Sequence, residues 1–73
     1  MSRRAADPAL RISENGSLLA ETARKVAPVA LFESFVDLYQ TDEIREACRL
    51  LGGIAPRGNR SAVLDHLRSL VSR

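Results

Sequence analysis

A chain of 73 residues with 45% apolar content can bury the core of one small domain, and a large substrate cavity would consume that core. Its three aromatics are Phe32, Phe35 and Tyr39 and it has no Trp, so the interior must be aliphatic, which suits packed helices. The single cysteine, Cys48, excludes an internal disulfide framework, and no stretch approaches the roughly 18 apolar residues that cross a bilayer.

The expectation is therefore an intracellular protein, neither secreted nor membrane-spanning. Ten of the eleven basic residues are Arg, as a GC-rich genome would give, which points to a bacterial cytoplasm or nucleoid. The net charge of +2 hides an uneven distribution. Residues 28–46 set Glu33, Asp37, Asp42, Glu43 and Glu46 against Arg45 alone, while residues 57–73 set Arg57, Arg60, Arg68 and Arg73 against Asp65 alone. The basic end is the candidate for contact with a polyanion.

In chain order, residues 1–16 show no helical period and contain Pro8, Asn15 and Gly16, so they read as a flexible basic arm carrying Arg3 and Arg4. The single helical domain then occupies 17–73. Ser17 can cap a first helix, about 17–27, with Leu18, Leu19, Ala23 and Val26 on one face, and Pro28 ends it. Pro28 also suits the first turn of a second helix, about 29–40, where Val29, Phe32, Val36 and Tyr39 recur at three- and four-residue steps. Leu31, Phe35 and Leu38 widen this stripe, so the second helix should be buried on two sides, between helices or between copies of the chain.

Gln40 or Thr41 begins a third helix, about 42–51, with Asp42 and Glu43 at the positive end of its peptide dipoles and Ile44, Ala47, Cys48 and Leu51 as its apolar face. Gly52 is the expected left-handed residue that closes it. "GIAPRGN" follows as a loop, extended where Ala55 precedes Pro56, turning at Gly58 and anchored by Ile54. Asn59 or Ser61 can cap a last helix, about 60–72, with Val63, Leu64, Leu67, Leu70 and Val71 inward and Arg60 and Arg68 facing water. The fold class is all-α, a small bundle of three to four helices.

From about residue 40 to residue 71 the chain resembles a SAP domain, the helix, extended loop, helix module of chromatin and DNA-repair proteins. "TDEIREACRLLG" matches its capped first helix closing on leucine and glycine. Ile54, Gly58, Asn59 and Arg60 match the hydrophobic loop residue and the glycine, polar, basic run, and Val63, Leu64 and Leu67 match the second helix. Gly53 lengthens the loop by one residue, Arg60 replaces the usual lysine, and Ala62 stands where an acid often sits. The resemblance implies duplex DNA binding with a preference for AT-rich sequence.

Physically, Gly58 allows close approach of backbone, the first turn of the last helix offers amides to a phosphate oxygen, and Arg57 and Arg60 add charge beside it. Arg68 extends the patch along the helix, and Arg3 and Arg4 could enter a narrow minor groove. Three or four phosphate contacts bind weakly at cellular salt, so a dimer formed through Val29, Phe32, Val36 and Tyr39 would supply valency. The alternative function is a protein-interaction module, an adaptor or inhibitor docking through the acidic, apolar helix 29–40.

An enzyme is not expected, since His66 and Cys48 fall on separate helices with no acid to orient the histidine. Metal binding fails on ligand count, "GGIAPRGNRS" lacks the Gly-Lys-Ser/Thr ending of a nucleotide-binding loop, and no cofactor or small-molecule substrate is implied.

Overall fold

The computed structural model describes residues 7–72, all of whose regular structure is helical. Helix α1 spans Pro8–Lys25, begun by the Asp7 carboxylate, which accepts from the amides of Ala9 at 3.0 Å and Leu10 at 3.5 Å, with Pro8 in the first turn. A composite helix, α2, follows: an α-turn over Pro28–Ala30, a wide π-turn over Leu31–Phe35 and a tight 3-10 turn over Val36–Leu38. Helices α3, Thr41–Gly52, and α4, Arg60–Val71, complete the bundle.

Helix α1 starts well before the expected residue 17, so residues 8–16 are helix and not arm; residues 1–6, with Arg3 and Arg4, lie outside the described residues. The physical reason is the face that α1 turns toward α3. Arg11, Asn15, Gly16, Leu19 and Ala20 recur at helical spacing, but only the last two are apolar, so hydrophobic periodicity passes over the first half. Gly16 is buried: a Cβ there would sit 2.5 Å from Glu46 Cγ and 2.7 Å from Glu46 Cβ. The residue that looked like a breaker is where the two helices come closest. Leu18, expected on the inner face, is more than half exposed.

Among the described residues nine fill the core: Leu19 and Ala20 from α1, Leu31 and Val36 from α2, Ile44, Ala47 and Cys48 from α3, and Val63 and Leu67 from α4. Helix α3 is central, packed by α1 on one side and by α4 on another. Its start is closed by the Glu43 carboxylate, which accepts from the Gln40 amide at 2.7 Å. Its end is closed by Gly53, at φ 87°, whose amide donates to the Arg49 carbonyl at 2.7 Å. The left-handed residue is thus Gly53 and not Gly52. Gly52 serves contact instead, since a Cβ there would lie 2.7 Å from Leu70 Cδ2.

Helices α3 and α4 run side by side in the same direction. Arg60 and Thr41, at their starts, are within 3.4 Å, and Gly52 and Leu70, at their ends, are in contact. A twelve-residue helix is about 18 Å long, and the seven residues 53–59 reach about 23 Å when extended. That is enough to carry the chain back to the beginning of α3. The loop is pinned there by Arg45, whose Nε donates to the Pro56 carbonyl at 2.9 Å and whose Nη2 donates to the Gly58 carbonyl at 3.1 Å. Pro56 is the buried residue of the loop, while Ile54, expected as its anchor, is 69% exposed.

Candidate nucleic-acid interface

The basic corner is built by the returning loop. Because α3 and α4 are parallel, both positive helix ends lie on the same side of the molecule, joined by residues 53–59. Gly58 takes φ 107° to make the last turn before α4, and a side chain there would crowd Ala62 Cβ at 3.0 Å. Asn59 then caps α4, its side-chain oxygen accepting from the Ala62 amide at 3.0 Å.

The arginines of this region do different things. Arg57 is exposed and makes no hydrogen bond or ion pair among the described residues. Arg60 is half-buried and turned inward: its Nη2 donates to the carbonyls of Val36 and Tyr39, each at 3.0 Å, and its Nη1 to Thr41 Oγ1 at 3.4 Å. It closes the carbonyl end of α2 from another helix, a favourable place for a cation. The expectation that Arg60 simply faces water is corrected accordingly. Arg68 is exposed but lies over the Phe32 ring, 4.1 Å from guanidinium carbon to ring centroid.

None of Arg45, Arg57 and Arg60 is paired with a carboxylate among the described residues. Arg45 and Arg60 bond to carbonyl and hydroxyl oxygens, which satisfy donors without supplying a full negative charge. Together with Gln40, Thr41 and Asp42 they line an open hollow of about 480 Å³ between the starts of α3 and α4.

The acidity of residues 28–46 is largely neutralised within the fold. Arg11 on α1 reaches Asp42 at 3.0 Å and Glu43 at 2.6 Å, and Asn15 donates to Glu43 at 2.7 Å. Burial alone would push the Glu43 carboxyl up, but the hydrogen bonds from Asn15, the Gln40 amide and Arg11 outweigh it and hold the group below its ordinary range. Arg49 holds Glu46 at 2.6 Å and lowers its pKa in the same sense. Glu33 and Asp37 of α2 are exposed.

The four residues expected to form an association surface do not share a face. Val36 is 3% exposed and belongs to the core, Phe32 and Tyr39 are half-buried, and Val29 is 67% exposed. The wide turn explains this. The Val36 amide bonds to the Leu31 carbonyl, five residues back, so one extra residue is spent in that turn and the later positions are rotated out of phase with the earlier ones. Leu38 emerges on the outside as a result, 73% exposed. Cys48 is a core residue whose thiol is pushed up to about 11 by burial. Helices long and apolar enough to cross a membrane do not occur among the described residues.

Sequence reasoning placed the turn at Gly58 and a cap at Asn59, where the structure has them, and singled out Arg57 for its charge. It missed Arg45, which lies on the first turns of α3 in a segment that reads as acidic; its position beside the returning loop follows only from the parallel packing of α3 and α4. No family model, curated protein or solved structure matches this chain.

Proposed function

We propose that this protein binds the phosphate backbone of nucleic acid through the corner where α3 and α4 begin. One observation carries the reading: two helix starts converge on a loop flanked by Arg45, Arg57 and Arg60, with no carboxylate among the described residues spent on any of the three. Helix starts favour anions through unpaired amides and aligned dipoles, and guanidinium groups add donors in the planar geometry that phosphate accepts. Such contacts fix position and carry little sequence information. The SAP-like pattern of residues 40–71, whose loop returns to place the two helices in parallel, adds double-stranded DNA, AT-rich by preference, as the partner.

Binding follows from electrostatics and so weakens as salt rises, because condensed counterions are released when arginines neutralise phosphates. Fluorescence anisotropy of a labelled AT-rich duplex, read across a KCl series, tests the reading. Binding at low salt that falls steeply with added KCl supports it; no binding at low salt removes it.

A second reading rests on a different observation, the exposure of Val29 and Leu38 on α2 beside exposed Glu33 and Asp37. An acidic helix with apolar residues on its outer side suits docking to a protein partner or to a second copy of the chain. Light scattering of wild type and Leu38→Asp separates the copies case: loss of a dimer on substitution supports it, and a monomer at all concentrations excludes it.

A further inference from the structure

We infer that the hollow between the starts of α3 and α4 is a seat for one phosphate group, held between Arg45 and Arg60. The inference rests on the backbone-binding reading for the source of that phosphate, a phosphodiester of nucleic acid, and goes beyond it by naming the seat.

Donor accounting supports the assignment. A guanidinium carries five N–H groups. Arg45 uses its Nε and one Nη2 hydrogen on the Pro56 and Gly58 carbonyls, and Arg60 uses Nη2 on Val36 and Tyr39 and one Nη1 hydrogen on Thr41. Donors remain on both side chains, and the bonds already made hold each guanidinium in place before a ligand arrives. The two charges face one hollow, whose lining includes one carboxylate, Asp42, already paired with Arg11 at 3.0 Å. Thr41 and Asp42 also head α3, where no earlier turn supplies carbonyls to their amides. Two fixed cations and a helix start around a neutralised acid form a site that an anion completes. Arg57, exposed in the loop between Pro56 and Gly58, the two residues that Arg45 holds, would meet the next phosphate along a strand.

The test is a titration of the full chain with inorganic pyrophosphate, followed through the arginine Nε–H signals and the backbone amides of Thr41 and Asp42. The signals of Arg45, Arg60, Thr41 and Asp42 should move together along one saturating curve while Arg24, on α1, stays still. Arg45→Gln should weaken binding about fivefold, the effect of one unit charge at close range in a water-like dielectric, and Asp42→Asn should tighten it by about the same factor. Damage to the fold cannot tighten a site, so Asp42→Asn decides the matter if Arg45→Gln unfolds.

Equal movement at Arg24, or indifference to both substitutions, overturns the seat. A parallel titration with the AT-rich duplex separates this inference from the reading beneath it. Duplex binding without change at the four residues overturns the seat and keeps backbone binding; pyrophosphate held at the seat by a chain that ignores DNA keeps the seat and overturns backbone binding.

Discussion

Arg60, in the first turn of α4, donates to the Tyr39 carbonyl at 3.0 Å and through the same nitrogen to the Val36 carbonyl at 3.0 Å. These carbonyls end α2 in a 3-10 turn: that of Val36 also accepts from the Tyr39 amide at 3.1 Å, and that of Tyr39 lies where the chain leaves the helix. One side chain therefore ties the end of α2 to the start of α4. Arg60→Ala should cost about 1.5–3 kcal/mol in urea unfolding, the range for hydrogen bonds to a charged group, and Arg60→Lys should recover part of it. An Ala variant as stable as wild type would mean that the link holds nothing together. The same link makes Arg60→Ala a poor probe of ligand binding, because it perturbs α2 as well as charge.

Gly16 inverts the usual rule for glycine in a helix. On propensity alone Gly16→Ala should stabilise α1 by up to about 1 kcal/mol. Here the new methyl would meet Glu46 Cγ and Cβ near their backbone, with the Glu43 carbonyl 3.3 Å away, so α1 and α3 must separate. The expected net effect is a loss of about 1–3 kcal/mol, typical of overpacking. A thermal melt that rises on Gly16→Ala would contradict the close crossing of the two helices.

Legibility in the sequence followed how much of each element's signal is apolar. Helices α3 and α4 were readable almost to the residue, because Ile44, Ala47, Cys48, Val63 and Leu67 keep the period and Asp42, Glu43 and Asn59 mark the starts. The first half of α1 was not, because its inner face is Arg11, Asn15 and Gly16, which acquire meaning only against Glu43 and Glu46 of another helix. The exposure pattern of α2 was hidden for another reason: periodicity assumes a uniform turn, and the π-turn over Leu31–Phe35 breaks that assumption. In the candidate site the loop was legible through Gly58 and Asn59. The inward turn of Arg60 and the staple by Arg45 were not, since both depend on where separate helices come to lie.

Acid should loosen the bundle, through Glu43 where α3 meets Arg11 and Asn15 of α1 and through Glu46 where it pairs with Arg49 within α3. Glu43 and Glu46 both have lower pKa values in the folded chain than the ordinary 4.5. A depressed carboxylate contributes stability above its unfolded value and loses it as pH falls through the folded one. Urea midpoints should therefore be level from pH 7 to about pH 5 and fall below it. Glu43→Gln should lower the starting midpoint and flatten the fall, because the neutral amide leaves Arg11 with Asp42 alone and has no proton to take up. An acid limb unchanged by Glu43→Gln would show that the depressed groups lie elsewhere.

The two faces of α2 should respond oppositely to charge. Val36→Asp places a carboxylate in the core without a partner and should abolish cooperative folding or cost more than about 3 kcal/mol. Val29→Asp and Leu38→Asp change exposed positions and should stay within about 0.5 kcal/mol of wild type. Circular dichroism with urea titration reads all three. Equal damage at Val29 and Val36 would mean that the wide turn does not set the phase of the helix.

The basic corner is tested most directly by charge reversal at a residue that takes no part in the fold. Arg57→Glu removes an exposed cation from the corner, while Arg24→Glu makes the same change in charge on an exposed part of α1 and serves as the control. Affinity for the AT-rich duplex, measured by anisotropy at low salt, should fall about tenfold or more for Arg57→Glu and much less for Arg24→Glu, with the urea midpoints of both unchanged. Equal losses from the two substitutions would show that net charge alone drives the binding, and would contradict a defined interface at the starts of α3 and α4.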